Sequence, residues 1–241
     1  ISIPGPCDPI KGIFLGNYTT KIKNWNIVND IQEHIKLPVY IENDVNACAV
    51  GEKVFGLCKE ETDFFWMTIS FGCGGALFID NKLYRGKSNL AGEIGHIQIE
   101  YNKPRKCGCG QVGDMEAEGA GIAIGVKYLE RTGQNPNPYF HSKHVSDLAR
   151  KGDIIAKEIF FESGFYVGKL CAMVSNILNV PFAVIGGGVA VYDYDILKPG
   201  IDKALDKFLF PMSKGKFKIY QTELGYNASI LGATAIALKR Y

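Results

Sequence analysis

The thirty residues at positions 89–118 constrain the fold more than any other part of the chain. They read NLAGEIGHIQIEYNKPRKCGCGQVGDMEAE. Seven side chains that bind metals or form hydrogen bonds with polyols lie among glycines: Glu93, His96, Cys107, Cys109, Asp114, Glu116 and Glu118. Glycine permits tight turns and close backbone approach, and loops held on a rigid scaffold often carry function. We therefore expect the rest of the chain to position this segment around a ligand, a metal or both.

The rest of the sequence alternates predicted strands with predicted helices. Strands are expected over 1–3, 12–15, 39–41, 64–70, 76–80, 83–85, 181–185 and 217–220. Helices are expected over 27–36, 45–55, 121–131, 154–179, 195–208 and 228–238, and residues 133–141 are expected to be irregular. This alternation, beside one antiparallel glycine-rich hairpin, indicates an α/β fold with a mixed sheet.

Length and composition exclude several classes of protein. The 241 residues suit one large domain or two small ones, and 46% hydrophobic residues can supply a core. A net charge of +2 with 22% charged residues does not favour binding to nucleic acid or a membrane surface. Seven cysteines are an odd number, which fits reduced cytoplasmic thiols better than a disulfide framework. No apolar run approaches the ~18–20 residues that span a bilayer, so we expect a cytoplasmic protein without a membrane partner.

A predicted strand-to-helix junction carries two carboxylates and an amide, Glu42, Asn43 and Asp44. In open α/β sheets, ligands bind at the carboxyl ends of the strands. A carboxylate there can take the proton of a hydroxyl, as the base in phosphoryl transfer does. Alternatively, Asn43 or Asp44 serves only as the N-cap of the following helix.

Two glycine clusters are candidates for binding anions or nucleotides. FGCGG at 71–75 can expose backbone N–H groups as an anion-binding nest, or it can form an ordinary hairpin turn. It is not a Walker loop, because no Gly-Lys-Ser/Thr follows it. GGG at 186–188 would let a base or ribose approach the backbone, or it forms a tight strand-to-helix turn.

Thiols and an imidazole in the central segment suggest zinc. His96, Cys107 and Cys109 are typical zinc ligands, and Asp114 can supply a fourth ligand through oxygen. The alternative is two free cysteines and a hydrogen-bonded histidine.

Two glutamates of the same segment are candidates for sugar recognition. Each carboxylate oxygen of Glu93 and Glu116 accepts more than one hydrogen bond, which suits adjacent hydroxyls. The alternative is that both are solvated surface charges, but their glycine-rich flanks and apolar neighbours argue against it.

Together and in this order, the motifs resemble those of the ROK family, which contains bacterial repressors and sugar kinases. They are IENDVNACAVGE at 41–52, SFGCGG at 70–75, AGEIGH at 91–96, CGCGQVGDME at 107–116, IGGGVA at 185–190 and LGYNASILGATAIAL at 224–238. The resemblance implies the actin-like, ribonuclease H-like ATPase fold. It also implies that residues 1–38 are a remnant of the N-terminal lobe and that 39–241 form the C-terminal sugar- and nucleotide-binding lobe.

The resemblance implies roles for individual residues. Asp44 would be the general base that takes the proton from the attacking sugar hydroxyl, with ATP and Mg²⁺ as cofactors. The sugar would be bound by Asn43, Glu93, His96 and Glu116. A structural zinc would be held by His96, Cys107 and Cys109, with Asp114 where the family has its third zinc cysteine. The ATP phosphates would be faced by Gly72, Gly74 and Gly75, and the nucleoside by Gly187 and Gly188.

Three departures from the family pattern bear on these roles. Asp114 in place of cysteine would weaken zinc binding. Ser70 and Phe71 replace Gly and Thr of the phosphate turn, and phenylalanine has no hydroxyl to donate. The family's D-x-G-G-T phosphate loop would lie before Ile1, so we expect a fragment without its natural N-terminus that phosphorylates sugar poorly alone.

Two functions follow from the resemblance. The leading one is a ROK sugar kinase that transfers the ATP γ-phosphate to a hydroxyl of a hexose or N-acetylhexosamine, which the presence of Asp44 favours. The alternative is the inducer-binding domain of a ROK transcriptional repressor, which the altered phosphate turn, the altered zinc position and the chain start favour. Nucleic acid would then be bound only by a domain before Ile1. The partner is a small-molecule sugar in both cases, and the homodimer that the family often forms stays open. A zinc hydrolase is disfavoured because no second histidine lies nearby.

Overall fold

A computed structural model describes residues 1–17 and 20–239 of the protein. The chain divides into two compact units that are each built from separate stretches of sequence. The first unit contains Ile1–Trp66, Gly75–Glu93 and the residues from Thr222 onward, and the second contains Met67–Gly74 and Ile94–Gln221. Both units combine strands with helices, so the predicted α/β class is confirmed. The lobe boundary expected between residues 38 and 39 stays a prediction.

The first unit begins with short strands around a small apolar core. The strands are β1 (Ser2–Ile3), β2 (Cys7–Asp8), β3 (Ile13–Gly16) and β4 (Lys23–Trp25). β3 pairs antiparallel with both β2 and β4, and Phe14 lies opposite Cys7 and Trp25. Helix α1 (Ile27–Gln32) follows. The buried core side chains are Ile3, Cys7, Phe14, Ile27 and Ile41.

The structure corrects two element boundaries in this part of the chain. The strand predicted over 39–41 is displaced to β5 (Glu42–Asn43), which pairs parallel with β1. The pattern Val-Tyr-Ile favoured the earlier position, but an ion pair with Arg85 lets the charged Glu42 lie buried within a strand. The helix predicted over 27–36 ends at Gln32. Ile35 is exposed and gives the last predicted turn no apolar face to bury.

Helix α2 (Asp44–Phe55) starts directly after β5 and packs against the last helix, α8 (Ala228–Ala237). The two backbones touch at a pair of glycines. A Cβ at Gly51 would lie 2.4 Å from the Ala228 carbonyl oxygen, and one at Gly232 would lie 1.7 Å from that of Ala47. Larger residues at either position would force the helices apart.

A hairpin completes the first unit. Strand β6 (Phe64–Ile69) belongs to this unit up to Trp66. Strand β7 (Cys73–Ile79), which belongs to this unit from Gly75 onward, pairs antiparallel with β8 (Lys82–Tyr84). Leu77 lies opposite Tyr84 in this pairing. Strand β7 begins three residues earlier than the predicted 76–80, so Gly74 and Gly75 lie within the strand rather than in the turn.

The second unit is mainly helical. Its helices are α3 (Met115–Gly119), α4 (Gly121–Arg131), α5 (Ser142–Arg150), α6 (Ile154–Leu178) and α7 (Gly187–Phe208). β6 lies beside β9 (Phe182–Gly186), which pairs parallel with β10 (Lys218–Gln221). Helices α6 and α7 approach closely, because a Cβ at Gly164 would lie 2.0 Å from the Leu197 carbonyl oxygen.

The predicted helices of the second unit have mixed outcomes. Those over 121–131 and 154–179 agree with α4 and α6 to within one residue. Helix α7 starts at Gly187 rather than at 195, with a kink at Asp193, and α3 and α5 were not predicted. Across the described residues, no helix combines the length and the apolar character that crossing a membrane requires.

Candidate functional site

Four side chains of the second unit gather their ligand atoms in one place. His96, Cys107, Cys109 and Asp114 each offer one atom, and these atoms all lie within 4.8 Å of one another. Nδ1 of His96 is 3.1 Å from Oδ2 of Asp114 and 3.8 Å from Sγ of Cys107. Sγ of Cys109 is 3.6 Å from the same Asp114 oxygen. These are the four residues that the sequence predicts as metal ligands, and the fold brings their ligand atoms together.

The cluster fits a tetrahedral zinc ion in donor type and spacing. Zinc bonds of about 2.0 Å to nitrogen or oxygen and about 2.3 Å to sulfur place ligand atoms roughly 3.3–3.8 Å apart. The separations from His96 and Asp114 are close to these values. Burial, followed by a hydrogen bond with Asp114, raises the pKa of the Cys107 thiol. A metal would have to displace that proton, so its binding would release protons.

The two carboxylate oxygens of Asp114 make different contacts. Its side chain is completely buried. Oδ2 faces the histidine and the cysteine thiol, while Oδ1 accepts the Ala117 N–H at 2.8 Å and caps α3. A cysteine at this position would offer only a weak sulfur acceptor to the helix. The aspartate therefore joins the ligand cluster directly to the start of α3.

Helix α3 carries Glu116 to the glycine turn at residues 70–72. Oε2 of Glu116 accepts the Cys73 N–H at 3.1 Å, and Oε1 lies 3.9 Å from Sγ of Cys107. A Cβ at Gly72 would lie 2.3 Å from Oε2 of Glu116, so the carboxylate occupies the space that this glycine leaves open. Glu116 thus touches both the turn and the cysteine cluster.

The turn itself is held by contacts within the protein. Ser70 N–H donates to the Gly72 carbonyl at 2.9 Å, and Gly121 N–H donates to the Ser70 carbonyl at 2.7 Å. Gly75 N–H, in β7, donates to the Gly92 carbonyl at 2.9 Å. The side chain of Phe71 is 62% exposed, and its ring packs edge-on against His141 with 5.4 Å between centroids.

Asn43 and Asp44 both accept backbone N–H bonds at the start of α2. Oδ1 of Asn43 accepts the Val45 and Asn46 N–H groups at 2.9 and 3.0 Å, so Asn43 is the N-cap. Asp44 is the first helical residue, and its Oδ1 accepts the Val45 N–H at 3.0 Å and an Asn43 amide N–H at 3.3 Å. Burial raises the pKa of Asp44 above its ordinary value. The cap is therefore an amide, and the carboxylate beside it is available for chemistry.

The sequence did not predict the buried hydrogen bonds of Glu42, the residue before Asn43 and Asp44. Oε2 of the buried Glu42 accepts two N–H bonds from the Arg85 guanidinium, at 3.0 Å from Nε and 2.6 Å from Nη2. Its Oε1 accepts the Asn46 amide at 3.0 Å. Only the unusual burial of a glutamate next to Asn43 could have indicated it, and burial is not visible in a sequence.

The remaining candidates lie at element boundaries. Glu93 is exposed and precedes a short 3-10 helix, Ile94–His96, whose last residue carries the imidazole. Gly187 and Gly188 begin α7, with Gly186 as its N-cap. Gly187 has φ +83, and a Cβ there would lie 2.5 Å from Oγ1 of Thr68. Glycine is therefore required at 187 by the packing of the second unit itself.

The fold is similar to those of solved ROK family structures. A ROK family glucokinase from Streptomyces griseus, in complex with glucose and AMPPNP, superposes with a TM-score of 0.87 at 26% identity, covering 99% of this chain and 80% of the glucokinase. A ROK family transcriptional regulator, a homologue of the Escherichia coli MLC protein, gives 0.86 at 27% identity, covering 98% of this chain and 61% of the regulator. The actin-like ATPase fold that the motifs implied is confirmed.

Sequence comparison leads to the same group. The xylose repressor of Bacillus spizizenii is 32% identical over 246 residues, covering 100% of this chain and 61% of the repressor. The chain therefore spans about three fifths of the length of that relative. A family model described as ROK family matches residues 1–240. The predicted relationship is confirmed, and the chain belongs to the ROK family.

Proposed function

We propose that the full-length protein binds a hexose or N-acetylhexosamine and transfers the γ-phosphate of ATP to one of its hydroxyls. The observation that carries this proposal is Asp44. Asn43 supplies the main acceptor of the α2 cap, and the neighbouring carboxylate adds a second acceptor for the Val45 N–H. Burial raises the pKa of Asp44, which moves it towards the range in which a base works well near neutral pH.

The sugar contacts are proposed from the family motifs, residue by residue. Asn43, Glu93, His96 and Glu116 are the assigned ligands. Of these, Glu116 has Oε2 engaged by the Cys73 N–H, and its Oε1, which lies 3.9 Å from Sγ of Cys107, can accept a further bond from a sugar hydroxyl. Fixing one oxygen orients the other, and such orientation is the main contribution that a protein makes to phosphoryl transfer.

A structural zinc is proposed for the four-residue cluster. His96, Cys107, Cys109 and Asp114 would hold it, and the ion would supply rigidity rather than chemistry. We name residues 105–114, which carry the two cysteines, the metal loop. Metal held there would fix the start of α3 through Asp114 and so limit the positions that Glu116 can take.

ATP and Mg²⁺ are the proposed cofactors, and they would supply the phosphoryl group and neutralise its charge. Gly187 and Gly188, at the start of α7, are the proposed nucleoside contacts. Gly72, Gly74 and Gly75 are the proposed phosphate contacts.

The glycine turn favours a second candidate, the sugar-binding part of a transcriptional repressor. The Cys73 and Gly75 N–H groups already donate within the protein, and a carboxylate fills the space beside Gly72. A phosphate placed there would meet the negative charge of Glu116. Relatives named xylose repressor and N-acetylglucosamine repressor support the same candidate.

One experiment separates the candidates. The full-length protein is screened against a panel of hexoses and N-acetylhexosamines by thermal shift, because a ligand of the native state raises the melting temperature. Each sugar that binds is then incubated with ATP and Mg²⁺, and sugar phosphate is measured. Turnover supports the kinase, and binding without turnover supports the repressor. A protein that binds no sugar of the panel contradicts both.

A further inference from the structure

The base of the metal loop is closed by one buried carboxylate. Glu118, in the last turn of α3, accepts the Arg105 N–H at 2.7 Å through Oε1. The Gly113 N–H donates to the Arg105 carbonyl at 2.7 Å. Two hydrogen bonds therefore join the residue that opens the loop to residues that follow the two cysteines.

Lys127 of α4 holds the same carboxylate from its other oxygen. Nζ of Lys127 lies 3.3 Å from Oε2 of Glu118, and the two side chains are only 7% and 2% exposed. The ammonium also lies 3.8 Å from Oε2 of Glu162 and 4.9 Å from the ring centroid of Tyr166, both on α6. Lys127 thus connects the base of the metal loop to two long helices.

Helix α3 depends on this connection for its orientation. It has five residues, which is too short to be stable without tertiary contacts. It carries Glu116 between the capping Asp114 and the buried Glu118. Ser163 of α6 adds one bond, from Oγ to the Gly119 carbonyl at 2.6 Å. A contact that fixes Glu118 therefore also limits how the helix can turn about its axis.

A buried ion pair is weak evidence for stability, because removing both charges from water offsets most of their attraction. Its better-supported use is to select one arrangement among several. We infer that Lys127 is a positioning residue that, through Glu118, holds the metal loop and α3 in place whether or not a metal is bound. The consequence for ligand binding rests on the proposed function, whereas the positioning itself rests only on these contacts.

The test uses the double variant Lys127→Met/Glu118→Gln. Changing Lys127 alone would leave a buried charge unpaired and risk unfolding. Glutamine keeps an acceptor for the Arg105 N–H, and methionine keeps the apolar volume of the lysine stem. The matched control is Lys198→Met/Asp202→Asn, which removes an exposed ion pair of 2.5 Å on α7. The conservative variant Lys127→Arg retains the charge.

Hydrogen–deuterium exchange, read peptide by peptide, is the primary measurement, because local opening appears only in the affected segment. We expect amides over 105–119 to exchange at least about tenfold faster in the double variant, and elsewhere at the rate of the wild type. The control and Lys127→Arg should match the wild type. Unchanged exchange over 105–119 would overturn the inference, and so would an equal rise in every peptide, which would mean a general loss of stability.

Ligand affinity is the second measurement. Zinc affinity is measured by competition with a chromophoric chelator, and sugar affinity by calorimetry. Both should fall by at least about tenfold in the double variant, as when a supporting contact of a metal ligand is lost. Wild-type affinities in the double variant would contradict the link to ligand binding. If the wild type binds neither ligand, the proposed function fails, and the exchange experiment still decides the role of Lys127.

Discussion

The first N–H groups of α2 and α3 find their hydrogen-bond acceptors in different ways. Each helix places a carboxylate at its N-terminus, where unpaired N–H groups need acceptors. At α2 an amide, Asn43, accepts those bonds, and Asp44 follows as a separate residue. At α3 one aspartate, Asp114, both caps the helix and faces the sulfur and imidazole ligands.

The two helix starts differ in how much each helix end depends on its carboxylate. Asp114 both caps α3 and faces the proposed metal ligands, so any change of its side chain alters both contacts. At α2 the main cap acceptor is Asn43, while Oδ1 of Asp44 also accepts the Val45 N–H and an Asn43 amide N–H. Burial raises the pKa of Asp44. Because Oδ1 of Asn43 accepts both the Val45 and the Asn46 N–H groups, the cap retains an acceptor when Asp44 gains a proton. A single substitution should therefore separate chemistry from structure at α2, whereas two complementary substitutions are needed at α3.

The largest effect is expected from Asp44→Asn in the full-length protein. Asparagine keeps the shape of the side chain but takes no proton, so turnover should fall by roughly 10²–10⁴-fold. Sugar affinity should change little, because the amide still offers an acceptor. Steady-state kinetics and calorimetry measure the two quantities. Glu60→Gln, an exposed carboxylate of the same unit, is the control, and unchanged turnover in Asp44→Asn would remove Asp44 from its proposed role.

Two substitutions of Asp114 should separate its contacts. Asp114→Asn keeps the cap, since asparagine is a good N-cap, but loses the anionic ligand, so zinc affinity should fall by at least about tenfold. Asp114→Cys restores a strong zinc ligand but weakens the cap, which should cost about 1 kcal/mol in the metal-free protein. Chelator competition and denaturant unfolding with EDTA measure these effects. The same rank order of the variants in both measurements would show that the two contacts are not separable.

A smaller effect is expected from Asn43→Ala. The loss of the acceptor for Val45 and Asn46 should lower the free energy of unfolding by about 1 kcal/mol. Urea denaturation is the measurement. Asn43→Ser retains an acceptor and should recover most of the loss, whereas equal stability of both variants and the wild type would show that Asn43 does not act as the cap.

The smallest effect concerns pH. The pKa of Asp44 is higher in the folded state than its ordinary value of 3.8. Its contribution to stability is therefore fully present below 3.8 and is lost as the pH rises through the folded pKa. The quantity to compare is the free energy of unfolding of the wild type minus that of Asp44→Asn. This difference should be smaller at about pH 7 than at about pH 4. Denaturant unfolding of both proteins at the two pH values gives the difference, and a larger difference at the higher pH would contradict the raised pKa.

The sequence predicted most where local pattern and tertiary structure agree. Helix α4 and helix α6 have long apolar periodicity, and their bounds were nearly right. Helix α5 was missed because a histidine, His141, caps it instead of the usual small polar residues. The start of α7 was placed too late because three consecutive glycines disfavour a helix by themselves, although the fold tolerates them there.

The candidate site was predictable in its residue types but not in its supports. Cys-x-Cys with a nearby histidine indicates metal ligands by chemistry alone, and the fold brings Asp114 to them. Nothing in the sequence pairs Lys127 with Glu118, or Arg85 with Glu42, because each pair is made across separate elements. Such contacts depend on how helices and strands pack, which a motif does not encode.

The glycine contact between α2 and α8 has a mechanical consequence. Gly51 lies seven residues beyond Asp44, or about 10 Å along the helix axis. Because the two backbones are in direct contact there, no side chain lies between the helices that could adjust to a larger residue. A single methyl group added at Gly232 would push α2 away from α8, so a substitution in α8 would displace the helix that begins at Asp44 without touching that residue.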